Sequence, residues 1–286
     1  MPDYGHPLAF AANLSTTARD PEAAIDLART AEASGLDLLT VQDHPYNTAA
    51  LDAWTLLSYL AARTSTIRLV GNVHPLPLRP AVTLARSAAS LDRLSGGRIE
   101  LGLGAGGYLD AIEREGGPRL TPGTAVDALE EGIRLIREVW DVRSGEPLRF
   151  EGAHYAIRGR RGPRSAHQIG IWLGAYGPRM LRLTGRLADG WLPSLPMFDS
   201  YRPLAEGNAV IDDAAVAAGR SPRDVLRLLN LGEPLPAEAL AELALEYGTS
   251  VFTLLADDER LVRWYGEELA PAVRELVAKE RGTAPV

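Results

Sequence analysis

At 286 residues the chain is close to the ~250 residues of a single α/β barrel, and residues 1-286 are expected to form one domain. A composition of 46% hydrophobic and 23% charged residues supplies a full core and excludes a disordered chain. The formal net charge of −7 argues against nucleic acid or an anionic membrane as a partner, and zero cysteines exclude disulfides, thiolate metal sites and a cysteine nucleophile.

Short apolar or β-branched runs alternate with longer stretches of helical period, as a parallel sheet with crossover helices requires. The first strand is expected over 8–13. A helix over 21–34 follows, with Asp20 as its N-cap, Pro21 in its first position and Gly35 as its stop. Strands at 36–42 and 67–73 come next, then a helix over 81–94, a strand at 98–104 and a helix over 125–140. Strands at 170–174, 190–193, 225–231 and 250–255 complete the set, and a long helix over 259–280 is expected to close the barrel. This alternation in a chain of this length predicts a (β/α)8 TIM barrel. An open doubly wound sheet competes with it, but Leu14-Ser15-Thr16-Thr17 after the first strand lacks the glycines of a G-x-G-x-x-G turn. Two Gly- and Arg-rich insertions, 107–123 and 145–170, are expected to cover the carboxyl-terminal face.

His6, His44, His74, His154 and His167 show neither H-x-H nor H-E-x-x-H spacing, so no metal site is expected. No apolar run of about 18 residues and no charged, apolar leader occurs, which makes a cytoplasmic protein without a membrane span the expectation. The clearest chemical signal is Asp43-His44, at the expected carboxyl end of the second strand, where barrel enzymes place their chemistry. Imidazole can give or take a proton near neutral pH, and an adjacent carboxylate can orient it. A histidine satisfied within the fold is the competing reading. Gly174-Ala175-Tyr176-Gly177-Pro178-Arg179 leads from the fifth strand into a helix that opens at Pro178, and free amides there can cradle a phosphate; a plain strand-to-helix turn is the alternative. Gly104-Ala105-Gly106-Gly107 follows the fourth strand and allows close backbone approach. Tyr46, Asn47, His74, Tyr108 and Asp110 lie just beyond strands two to four and are candidates for a substrate pocket. Arg158, Arg160, Arg161 and Arg164 form a basic loop that reads more readily as a solvated turn than as a contact for an acidic coenzyme tail.

The block Arg79-Pro80-Ala81-Val82-Thr83-Leu84-Ala85-Arg86, then Leu91-Asp92-Arg93-Leu94-Ser95-Gly96-Gly97-Arg98 and Leu101-Gly102-Leu103-Gly104-Ala105-Gly106, resembles the helix 3 to strand 4 region of the luciferase-like monooxygenase superfamily. Val41-Gln42-Asp43-His44, Ile171-Trp172-Leu173-Gly174 and Ala188-Asp189-Gly190-Trp191 extend the resemblance from about Leu8 to Pro193; beyond that it rests on element order. It implies an oxidoreductase using a flavin or deazaflavin, and the compact length, Asp43-His44 and Gly71-Asn72-Val73 look more like the deazaflavin branch. In that branch the residue matching His44 acts in catalysis or cofactor contact. The segment matching Asn72 and Val73 holds a non-proline cis peptide under the tricyclic ring, and the turn matching Gly174, Ala175, Gly177, Pro178 and Arg179 takes the coenzyme phosphate. The sugar-phosphate dehydrogenases of the branch carry a glutamate where Gly107 stands and a tryptophan where Thr48 stands, so glucose 6-phosphate is a poor substrate expectation. The expectation is therefore hydride transfer between coenzyme F420 and a small organic substrate. A monooxygenase using reduced FMN and oxygen, and a noncatalytic flavin-binding protein, are the rivals. A homodimer, and a separate reductase or dehydrogenase supplying reduced cofactor, are implied by the resemblance alone.

Overall fold

The computed structural model of the protein describes residues 2–284; Met1, Pro285 and Val286 of the expected domain lie outside the described residues. Eight parallel strands form a closed ring: β1 (Ala9–Leu14), β2 (Leu38–Val41), β3 (Arg68–Gly71), β4 (Ile99–Gly104), β5 (Ile171–Leu173), β6 (Gly190–Trp191), β7 (Leu226–Leu231) and β8 (Val251–Leu255). β3 is continued by a two-residue piece, His74–Pro75, which pairs with Leu103 and Gly104 of β4. β8 pairs with β1 from Ala9↔Val251 to Asn13↔Leu255. Closure thus comes from strand pairing, as a (β/α)8 barrel requires, and not from the C-terminal helix.

Side-chain alternation divides the core in two. Ala11, Leu38, Val70, Trp172, Leu192, Leu228 and Val251 fill the barrel interior. Phe10, Leu39, Leu69, Leu173 and Phe252, their neighbours in sequence, face the helices in a larger shell. That shell is covered by α1 (Pro21–Ala33), α2 (Ala53–Ala61), α3 (Ala81–Ser95), α5 (Pro122–Trp140), α6 (Pro178–Leu187), α7 (Arg202–Ala217) and α8 (Ala237–Tyr247), with α4 (Leu109–Arg114) lying in the loop after β4. Asp20 caps α1 by accepting the Ala23 N–H at 3.2 Å, as its sequence predicts. α5 begins three residues before its expected start, because Thr121 and Thr124 cap it reciprocally ahead of Pro122.

Two expectations are corrected. The helix expected over 259–280 is broken into α9 (Glu259–Trp264), a π-helical turn at Tyr265–Leu269 and α10 (Ala270–Arg281). At that turn Gly266 lies so close to α1 that a Cβ on it would stand 2.4 Å from the Ser34 carbonyl oxygen, while the buried Tyr265 hydroxyl donates to the Phe252 carbonyl at 2.9 Å. Local packing therefore overrides the regular helical period. The insertion 145–170 reaches the carboxyl-terminal side only at its turn, where His154 and Tyr155 share a small cavity with Leu76, Pro77 and Ala105 beyond the ends of β3 and β4. It folds as an antiparallel hairpin, Leu148–Glu151 with Ala156–Gly159, whose turn is held by the mid-helix Glu131 of α5 accepting N–H bonds from Ala153, His154 and Tyr155. Of its arginines, Arg158 pairs with Glu151 within the hairpin, Arg161 pairs with Glu138 near the end of α5, and the Arg164 carbonyl accepts from Arg93 of α3. α5 runs against the strands, so its end lies at the barrel's amino face, away from the strand ends where barrels bind ligands.

Candidate active site

A cleft of about 770 Å³ opens at the carboxyl ends of the strands. Every strand contributes: Asn13 from β1, Gln42, Asp43 and His44 after β2, Asn72 and Val73 after β3, Gly104 to Gly107 after β4, Gly174 after β5, Leu192 and Ser194 after β6, Asn230 and Leu231 from β7, and Leu255 from β8. Tyr46, Tyr108, Tyr176, Gly177 and Met180 complete much of the rim.

His44 enters this cleft by the parity of β2. Leu38 packs in the barrel interior and Thr40 hydrogen-bonds the inward Asn13 at 2.9 Å, whereas Leu39 and Val41 face the helices. Continuing the alternation, His44 points inward with Thr40, and Asp43 points outward. The His44 ring stacks on Tyr46 with centroids 5.5 Å apart and meets the edge of Tyr108 at 6.0 Å. Burial raises the Tyr46 hydroxyl to about 12, with Tyr108 and Asp43 adding to the rise, so Tyr46 stays neutral and can donate a hydrogen bond.

The same parity corrects the expectation that Asp43 orients His44. The Asp43 carboxylate turns away and accepts Nδ1–H of His74 at 2.6 Å and two N–H groups of Arg79 at 2.9 and 2.7 Å. Burial alone would raise its pKa. The hydrogen bonds from His74 and Arg79, with the charge of Arg79, outweigh that and hold it below the usual carboxylate range. Arg79 also reaches Asp52, which caps α2 by accepting the Thr55 N–H. One buried charge network thus joins the ends of β2 and β3 to the starts of α2 and α3.

His74, expected in the substrate pocket, belongs to this network instead: it is fully buried, packs on the Trp54 ring and does not line the cleft. Glycine at position 71 makes room for it, since a Cβ there would stand 2.2 Å from Nε2. Asn47 and Asp110 are also absent from the lining. Asn47 shapes its own turn, accepting from the Ala49 N–H, and Asp110 sits exposed in the first turn of α4.

Between Asn72 and Val73 the peptide is cis, the geometry that the resemblance implies. Val73 stands among glycines: a Cβ on Gly104 would lie 3.0 Å, and one on Gly174 3.2 Å, from its side chain. Asn72 Nδ2 donates to Asn230 Oδ1 at 2.6 Å, and Asn230 in turn reaches Ser194 at 3.2 Å, giving the floor a band of neutral amides and hydroxyls. At the other side Gly177 is the N-cap of α6, no side chain caps that helix, and a Cβ on Gly177 would meet nothing within 4 Å. Pro178 is the first residue of α6; Arg179 pairs with Asp127 at 2.6 Å; and Ala175 is buried, its carbonyl accepting the Trp191 indole N–H. Asn13, Gln42, Ser194 and Asn230 were missed from the sequence, although polar residues at the ends of otherwise apolar strands are a readable signal of inward-facing site groups.

The luciferase-like monooxygenase family model matches residues 6–281. The chain belongs to this family. Among its curated relatives, the 5,10-methylenetetrahydromethanopterin reductase of Archaeoglobus fulgidus is 31% identical over 67% of this chain and 54% of its own length. The phthiodiolone/phenolphthiodiolone dimycocerosates ketoreductase of a Mycobacterium strain is 31% identical over 72% of this chain and 56% of its own. The chain thus spans about half the length of the curated relatives it matches. Among solved structures, the coenzyme F420-dependent tetrahydromethanopterin reductase of Methanopyrus kandleri superposes with TM-score 0.73 at 18% identity, covering 93% of this chain and 99% of that one. The monooxygenase RslO1 of Streptomyces bottropensis superposes with TM-score 0.79 at 19% identity, covering 92% and 99%. These two likenesses show the (β/α)8-barrel fold. Among the described residues no helix is long and apolar enough to cross a membrane, and no group of three or more metal-binding side chains occurs.

Proposed function

We propose that this luciferase-like chain is an oxidoreductase that transfers a hydride between coenzyme F420 and a small organic substrate in the cleft. The observation that carries this reading is the cleft itself, which brings His44, the glycine-walled Val73 and the open start of α6 into one chamber at the strand ends. The residues present fit a tricyclic coenzyme with a phosphate. Uncapped amides at the start of α6 suit an anion, and the Gly177 position leaves space for it. Gly104 to Gly107 offer backbone in place of side chains along one wall. When bound, the coenzyme would give a hydride to, or take one from, a substrate carbon.

The chain's own part is positional and protic. For carbonyl reduction, His44 would give the carbonyl oxygen the proton that balances the hydride received at carbon, and would take that proton back in the reverse direction. Tyr46 and Tyr108 hold the imidazole by its face and edge. Asn72, Asn230 and Ser194 supply neutral hydrogen bonds, and the Asp43 network fixes the strand end from which His44 projects. The same reading includes a homodimer, cytoplasmic residence and a separate dehydrogenase that supplies reduced coenzyme. The exposed Leu94, beside an apolar groove between α2 and α3, supports pairing through that face, which light scattering checks.

The test uses reduced F420 and acetone under argon. Turnover by the wild type, lowered about 10²- to 10⁴-fold in His44→Ala with F420 binding unchanged, supports the reading. Oxygen consumption with reduced FMN would replace it with a monooxygenase. Coenzyme binding with no His44-dependent turnover across a panel of simple ketones would leave a noncatalytic flavin-binding protein.

A further inference from the structure

The luciferase-like barrel leaves the substrate open, but the chemistry of this chain's cleft lining narrows it. Its lining contains no lysine, arginine or glutamate, and its one aspartate, Asp43, is already engaged by His74 and Arg79. Its outer rim is apolar and unusually exposed: Tyr108 is 61% exposed, Tyr176 46%, Met197 68% and Leu255 48%. These four come from the loops after β4, β5 and β6 and from the end of β8, yet all line the one cleft. Large apolar side chains left in water and converging on one opening mark a ligand or partner surface. A carboxylate or phosphate held against these four side chains would lose hydration with no lysine or arginine in the lining to compensate. Deeper in, Ser194 and Asn230 are neutral hydrogen-bonding groups linked at 3.2 Å, suited to a carbonyl or hydroxyl.

We infer that the outer cleft takes an uncharged, largely apolar substrate with one carbonyl or hydroxyl group, its hydrocarbon body lying against Tyr108, Tyr176, Met197 and Leu255. This inference rests on the proposed redox reading for the reaction, but its recognition element is independent of the coenzyme's identity. Sugar phosphates and fatty carboxylates find no lysine or arginine in this lining and are expected to bind more weakly than the neutral ketone. The uncapped start of α6 lies on the Gly177 side and is assigned to the coenzyme.

Calorimetric titration of the coenzyme-loaded and the free protein with 2-hexanone, 2-octanone, hexanoate and octanoate tests this directly. Ketone affinity should tighten about fourfold for each added methylene buried, and octanoate should bind at least tenfold more weakly than 2-octanone. Leu255→Arg should invert that preference, and Met197→Asp should weaken 2-octanone at least fivefold with F420 affinity unchanged. Octanoate binding as tightly as the ketone, ketone affinity that ignores chain length, or binding of neither would overturn the inference. F420 binding is read in the same samples. Ketone selectivity without F420 binding would therefore remove the hydride reading and keep the substrate class, and the converse would remove the substrate class alone.

Discussion

Replacing Asp43 by Asn probes the buried network that carries His44 at the cleft wall. Asp43 is 2% exposed and accepts three hydrogen bonds of 2.6 to 2.9 Å from His74 and Arg79. The amide keeps the shape but loses the charge and turns a donor toward two donors. Hydrogen bonds to charged groups are worth about 1.5–3 kcal/mol, and breaking a buried ion pair costs about 3–5 kcal/mol. Arg79 keeps Asp52 as a partner, so the loss should lie near 3 kcal/mol. That corresponds to a fall of roughly 6 °C in Tm for a chain of this size. Because the folded-state pKa of Asp43 is depressed, its contribution is fully present above the unfolded value of about 3.9 and is lost as pH falls through the lower folded value. Urea unfolding at pH 7 should therefore show the full loss, and the gap between wild type and Asp43→Asn should shrink only below about pH 4. A change under about 0.5 kcal/mol at pH 7, or a gap that stays constant into acid, would refute the reasoning.

Glu32 makes a second acid-sensitive joint. Burial opposes its ionisation, but N–H bonds from Thr66, Ile67 and Ser65 pull its pKa down to about 2. Its stability contribution is present above the ordinary glutamate range and is lost as pH falls toward 2; discounted for its solvent exposure, Glu32→Gln should cost about 1 to 2 kcal/mol at pH 7 by urea titration and flatten the acid limb. At Gly185 a Cβ would stand 2.3 Å from the Ile211 carbonyl oxygen of α7, so Gly185→Ala should destabilise by about 2 kcal/mol or more in thermal melts, whereas the exposed Arg182→Ala should change little. Tyr265→Phe removes a buried hydrogen bond to the Phe252 carbonyl and should cost about 1 kcal/mol by the same assay.

Much of the barrel is legible in the sequence because each strand is a short apolar run bounded by turn residues: the expected 98–104 and 225–231 differ from Ile99–Gly104 and Leu226–Leu231 by one residue at their starts. The interruption at Tyr265–Leu269 was not legible, since it depends on Gly266 meeting Ser34, more than two hundred residues earlier in the chain. Within the site, His44 follows from strand-end position, and the Asn72–Val73 geometry follows only from the resemblance. The partner of Asp43 was misread because neighbours in sequence were taken as neighbours in space, when consecutive strand residues face opposite sides. Asn13 and Asn230 were present in the expected strands 8–13 and 225–231, but their convergence requires the ring to close.

The most direct test of the coenzyme assignment is a parallel fluorescence titration of wild type and Gly177→Asp with F420 and with FMN. A Cβ at this position meets nothing within 4 Å, so the aspartate adds negative charge at the start of α6 without an initial clash. The account predicts selective F420 binding by the wild type, weakened at least tenfold in Gly177→Asp with an unchanged Tm. Preference for FMN, or F420 binding indifferent to the new carboxylate, would contradict it.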